Sequence, residues 1–77
     1  MNYTLAVFKS RFATLNFANL LKKYGIPSAV INTPQNIMHA CGLSVKFLNE
    51  YMFQVKKILG ATELSSNFVG FFGYKHF

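Results

Sequence analysis

The stretch Lys22-Lys23-Tyr24-Gly25-Ile26-Pro27 constrains this chain most, because it reads as the end of an α-helix. Ala13, Phe17, Leu20, Leu21 and Tyr24 lead up to it at i, i+4, i+7, i+8 and i+11, lining one helical face with apolar side chains. Two lysines suit the last turn, where unpaired carbonyls make the helix end negative. Gly25 fits the left-handed position just beyond the helix, Ile26 is the apolar residue that follows it, and Pro27 blocks continuation. At the other end Ser10 stands where a hydroxyl caps the first free N–H groups. With both helix ends marked, the β-leaning runs Tyr3 to Phe8 before it and Ser28 to Asn32 after it read as strands.

Beyond the turn signal Thr33-Pro34, residues Gln35 to Ala40 form a connecting loop with room for one helical turn. Leu43, Val45 and Phe47 then alternate with Ser44 and Lys46, the pattern of a half-buried third strand. Leu48, Met52, Val55 and Leu59 recur at helical spacing, with Asn49 placed to cap a second helix and Gly60 to end it. Phe68 to Tyr74 is an aromatic fourth strand in which Gly70 and Gly73 mark weak points or bulges. The order β-α-β-β-α-β predicts an α+β, ferredoxin-like domain, a four-stranded antiparallel sheet with two helices on one face. Without repeats or linkers, residues 1–77 are expected to be a single domain. A chain of this size buries only about 60% of the surface it exposes when unfolded. Nine phenylalanines and four tyrosines exceed what so small a core can easily hide, so part of them is expected on a partner or in an exposed patch.

Eight Lys and Arg against two Asp and Glu give a net charge of +6. That excess favours anions, nucleic acid or an acidic partner, and equally serves as a solubilising surface, since the basic residues are scattered. Glu50 and Glu63 are the only acids, which excludes catalysis by paired carboxylates. No glycine-rich phosphate loop, nucleophile elbow or nucleotide fingerprint is present, so no cofactor is expected. One cysteine with His39 and His76 is too sparse a set for a zinc site, and no metal is expected. The start of the chain lacks signal-peptide features, and no apolar run approaches the roughly 18 residues of a membrane span. A single cysteine also cannot form an internal disulfide. The expected location is the cytoplasm, with no membrane association.

That cysteine, Cys41, falls between the Thr33-Pro34 turn and the third strand, beside Gly42. In a split βαβ topology the first strand–helix turn and the loop between strands 2 and 3 emerge at the same end of the sheet. Cys41 is therefore expected near Lys9, Ser10 and Arg11 at the start of the first helix. A helix N-terminus offers unpaired N–H groups and about half a positive charge, a field that favours a thiolate and can hold an anionic sulfur or selenium species. The alternative is an inert cysteine that helps pack the third strand, and position alone leaves both readings open. Without a second cysteine, any thiol exchange must finish on another protein or a small thiol.

The neighbours have simpler readings as well. Ser10 is accounted for as a helix cap. Lys9 and Arg11 are surface charges that can also line a thiol site, Arg11 better because its planar fork holds an oxyanion in a bidentate way. His39 either assists the thiol or is a solvated side chain, since residues two apart in extended chain point to opposite sides. Gly42 meets a backbone requirement where the strand starts beside the loop.

Taken together, several pieces resemble one family. They are the first strand, the helix ending Leu-Leu-Lys-Lys-Tyr-Gly-Ile-Pro, the strand closed by Thr33-Pro34, and the run Ala-Cys-Gly-Leu-Ser-Val-Lys-Phe from Ala40 to Phe47. The chain resembles the Se/S carrier protein-like family over nearly its whole length. Thr33, Pro34, Cys41, Gly42, Leu43, Lys46 and Phe47 match the family's Thr-Pro and Ser-Cys-Gly-Leu pieces, as do Ser10 and Gly25-Ile26-Pro27. His39-Ala40 departs from the small hydroxyl residues usual before the cysteine. The resemblance implies that Cys41 is the sulfur- or selenium-carrying thiol, with Gly42, Ser10, Thr33 and Pro34 in the family's pattern; Arg11, Lys9 and His39 are added as supporting residues by their expected position near the thiol. It further implies a carrier or accessory protein rather than a stand-alone enzyme, with a sulfur- or selenium-handling enzyme as donor or acceptor.

The aromatic fourth strand and the basic charge open a different reading, a nucleic-acid-binding or regulatory interaction module. RNA-recognition sheets stack bases on rings of their two central strands, here 1 and 3. Opposite its core residues strand 3 offers only Ser44 and Lys46, and strand 1 carries Tyr3 and Phe8 without the usual motif. A homodimer that buries Phe68, Phe71, Phe72 and Tyr74 explains the same rings with fewer assumptions.

Overall fold

The computed structural model describes residues 2–37 and 40–75. Strands β1 (Asn2–Phe8), β2 (Ser28–Asn32), β3 (Leu43–Leu48) and β4 (Phe68–Lys75) pair antiparallel in the order β2-β3-β1-β4. Helix α1 (Arg11–Lys23) joins β1 to β2, and α2 (Met52–Gly60) stands between β3 and β4. Both helices cover one face: Ala13, Phe17 and Leu21 of α1 and Val55 and Leu59 of α2 share a core with Ala6, Phe8, Val45 and Phe47. This is the ferredoxin-like β-α-β-β-α-β arrangement that the sequence predicts.

Helix α1 is closed at both ends by side-chain and backbone chemistry read from the sequence. Ser10 is extended (φ −123°, ψ 149°), and its hydroxyl accepts from Ala13 N–H at 3.1 Å. At the exit Gly25 takes φ 74°, its N–H donates to Lys22 O at 3.1 Å, and Ile26 N–H donates to Leu21 O at 2.9 Å. That pair of bonds is the Schellman ending, and it tucks Ile26 into the core. Tyr24 departs from expectation. As the capping residue it has already left helical geometry, and its ring is 62% exposed. Thr14, absent from the apolar series, takes a fully buried place instead.

The start of α2 also differs. Asn49 does not cap it; a 3-10 turn over Asn49–Tyr51 intervenes, and Tyr51 precedes α2 without a side-chain cap. The Asn49 side-chain oxygen is engaged elsewhere, accepting from the Thr4 hydroxyl across the end of the sheet.

On β4, Phe8 pairs with Phe68 but Val7 pairs with Gly70, so Val69 is the extra residue of a bulge. Without it Phe68 and Phe71, three apart, would face opposite sides of the sheet. With it both rings face the helices, Phe68 against Phe71 at 4.7 Å and Phe8 at 5.3 Å, and Phe71 against Phe47 at 6.1 Å. Two of the four aromatics expected at a surface or dimer contact thus belong to the core. Phe72 and Tyr74 fall on the helix-free face, with Tyr3, Leu5 and Val7 of β1 and Ser44 and Lys46 of β3. Leu5, Val7 and Ser44 are fully buried even there. The Phe72 ring lies 3.4 Å from where a Cβ on Gly70 would stand, so that glycine makes room for it. Among the described residues no helix is long and apolar enough to cross a membrane.

Candidate functional site: the Cys41 thiol at the head of helix 1

The β2–β3 loop is tied at its base and at its tip-side turn by backbone bonds. Thr33 N–H donates to Gly42 O at 2.9 Å, and Ile37 N–H donates to Pro34 O at 3.1 Å. Thr33 also shares a 2.6 Å hydroxyl bond with the buried Ser44, anchoring the loop to β3. Cys41 N–H donates to Phe8 O at 3.0 Å, so the cysteine extends the β3 edge of β1 at the point where β1 feeds α1. The expected meeting of loop and helix start is therefore present, and it is made by main chain.

Cys41 is half-buried, and its sulfur reaches into the first turn of α1. The thiol donates to Leu43 O at 2.9 Å, Leu43 N–H points back at Sγ from 3.4 Å, and the Thr14 hydroxyl lies 3.2 Å away. Thr14 Oγ1 is also 3.1 Å from Ser10 O and 3.3 Å from Leu43 O. The sulfur is thus held by one hydroxyl and by both backbone polar groups of Leu43.

The supporting residues divide by what they touch. Ser10 caps α1, and its carbonyl receives both Thr14 N–H at 3.2 Å and the Thr14 hydroxyl. Thr33, Pro34 and Gly42 hold the loop; Gly42 is exposed, and a Cβ there would meet nothing within 4 Å. Lys9 and Arg11 are exposed at the same end of the sheet, and among the described residues neither side chain bonds to Cys41. Lys9 contributes its backbone, donating to Asn67 O at 2.7 Å. His39 lies outside the described residues.

Thr14 is the residue that sequence reasoning missed. Its hydroxyl is polar and sits in an apolar helical stripe, four residues after the cap and 27 before the cysteine. A threonine at that depth in a helix back-bonds to the preceding turn, which gives no hint of a partner so remote. One groove of about 480 Å³ opens at the far end of α1, among Ala18, Asn19, Lys22, Pro27 and Val30. Its lining includes Ser28 and Lys22 but no acid, and Cys41 lies outside it. Among the described residues no three His, Cys, Asp or Glu side chains cluster as a metal site.

Comparison with known proteins adds one finding. No curated protein and no solved structure matches this chain. A family model does, the one described as "Putative Se/S carrier protein-like", over residues 2–68. That span runs from β1 to the first residue of β4 and includes Ser10, Thr14, the loop and Cys41, and the chain belongs to the Se/S carrier protein-like family.

Proposed function

We propose that this domain carries sulfur or selenium on Cys41 and passes it to a partner enzyme. The observation that carries the reading is the Cys41 sulfur, half-buried at the head of α1 and bonded by Thr14 and Leu43, in a chain of this family. A carrier thiol must ionise, reach a donor, and hold a reactive atom without losing it to a neighbouring thiol. The absence of a second cysteine meets the last need, because no internal disulfide can discharge the load.

In loading, the Cys41 thiolate attacks the outer sulfur of a donor persulfide. The donor S–S bond breaks, its electron pair leaves on the donor cysteine as a thiolate, and Cys41 becomes the persulfide. In delivery, an acceptor nucleophile attacks that outer sulfur and Cys41 departs as thiolate. Both steps move a neutral sulfur atom and need no outside oxidant or reductant. A selenium atom bound to Sγ would follow the same course. Exposed Lys9 and Arg11 at this end of the sheet supply positive potential to an acidic partner or anionic group. The reaction suits the reducing cytoplasm, where a lone thiol stays free.

Intact-mass measurement after incubation with a cysteine persulfide donor tests the proposal. Wild-type protein should gain one sulfur atom and lose it on reduction, while Cys41→Ser gains none and keeps its fold. A wild-type protein that never gains mass, or a serine variant that does, ends it.

A second reading rests on the helix-free face. There Lys46 Nζ lies 4.6 Å from the Tyr3 ring centre and 5.8 Å from that of Tyr74. One cation over two rings is a small platform for bases of single-stranded RNA. Retention on oligonucleotides that falls steeply with salt would support it.

A further inference from the structure

Thr14 holds a fully buried hydroxyl with one proton and three acceptors in reach: Ser10 O at 3.1 Å, Leu43 O at 3.3 Å and Cys41 Sγ at 3.2 Å. While Cys41 is a thiol, its own proton goes to Leu43 O, and the Thr14 hydroxyl donates to the carbonyls in its reach, Ser10 O one helical turn back and, at greater length, Leu43 O. Ionisation changes the accounting. The thiol proton leaves to solvent, and Leu43 O at 2.9 Å then faces a negative sulfur with nothing between them. Two donors remain within reach of Sγ, the Leu43 N–H at 3.4 Å and the Thr14 hydroxyl.

We infer that Thr14 is the positioning residue for the carrier thiolate: its hydroxyl turns from Ser10 O to Sγ when Cys41 ionises. No heavy atom need move, because a hydroxyl rotor swaps acceptors by torsion alone. Charge-assisted bonds are about twice as strong as neutral ones, so the exchange favours the anion. The carbonyl of Ser10 is not orphaned by the swap, since Thr14 N–H already donates to it at 3.2 Å. The same rotor stabilises Cys41 as the leaving thiolate when its load is delivered. This inference rests on the carrier reading of Cys41.

Among the described residues the charged groups at this end of the sheet are Lys9 on the β1–α1 turn and Arg11 in the first helical turn; His39 lies outside the described residues. All three stay unchanged in the test variants. The rate of Cys41 alkylation by iodoacetamide, followed across pH, compares wild type with Thr14→Val, Thr14→Ala and Thr14→Ser. Losing one bond to the anion lowers the thiolate population about tenfold, partly offset by the higher nucleophilicity of what remains. Thr14→Val should therefore react about three- to tenfold more slowly near neutral pH, with its rate profile displaced to higher pH. Thr14→Ser should restore the wild-type profile, an outcome that a purely packing role of the β-branched side chain does not produce. Thr14→Ala removes the same proton without the branch and serves if the valine variant does not fold. Wild-type rates in Thr14→Val or Thr14→Ala, or a serine variant as slow as either, overturn the inference. Persulfide loading separates the two proposals: if Cys41→Ser still gains sulfur the carrier reading fails. If only wild type and the Thr14 variants load, all at one rate, the carrier survives and the rotor does not.

Discussion

The two ends of α1 are built from different kinds of information. Its exit is a local device: Gly25 at φ 74°, two backbone bonds and the buried Ile26 all lie within six residues of one another. Its entrance begins locally, with the Ser10 cap, but is completed by Thr14 meeting a cysteine that arrives on a different loop. The exit stops the helix and sets Ile26 into the core. The entrance starts the helix and also gathers a hydroxyl, the backbone polar groups of Leu43 and a sulfur. At the entrance polar groups from β1, β3 and α1 come within bonding reach of one another.

If that contrast is right, the two ends should respond separately to mutation and together only through the core between them. The largest effect is expected from that shared middle. Phe17, fully buried against Phe8 at 5.2 Å, should lose about 3–5 kcal/mol as Phe17→Ala, measured by urea unfolding. Domains this small have a margin of only several kcal/mol, so both ends of the helix should melt with it.

Next comes the exit. Gly25→Ala forces a Cβ into left-handed backbone and should cost about 1–2 kcal/mol in the same assay. Its alkylation rate at Cys41 should match wild type, and a changed rate would erase the claimed independence of the two ends. At the entrance Ser10→Ala should cost about 1 kcal/mol by loss of the cap. Unlike the exit variant it should also slow Cys41 alkylation, because fraying the first turn carries Thr14 away from the sulfur. The smallest effect belongs to Phe12, 72% exposed in that same first turn. Phe12→Ala should stay within about 0.5 kcal/mol and leave alkylation alone; a larger change in rate would assign Phe12 to the thiol site.

Much of the fold was legible because its signals are short-range. The Ser10 cap, the Gly25-Ile26-Pro27 exit and the alternation of Val45 and Phe47 each depend on neighbours in the chain. The errors share the opposite origin. Asn49 looked like a cap because asparagine before an apolar helical run usually is one, yet Thr4 of a distant strand claims its side chain. Tyr24 continued an apolar series by spacing, but the helix had ended by then. Phe68 and Phe71 looked like surface rings until the bulge at Val69 turned both inward, and the neighbouring Gly70 only hinted at where.

The site divides in the same way. The order of elements, the single sulfur and the Thr33-Pro34 turn determined which loop would meet which helix, since a split βαβ topology allows one arrangement of those ends. What surrounds the sulfur was decided only in three dimensions. Thr14 carries no mark in the sequence, because a hydroxyl that bonds its own helix looks the same whether or not a thiol stands beside it. Contacts within a turn are dictated by residues that are already neighbours, whereas the contact of Thr14 with Cys41 exists only after β1, β3 and α1 have packed.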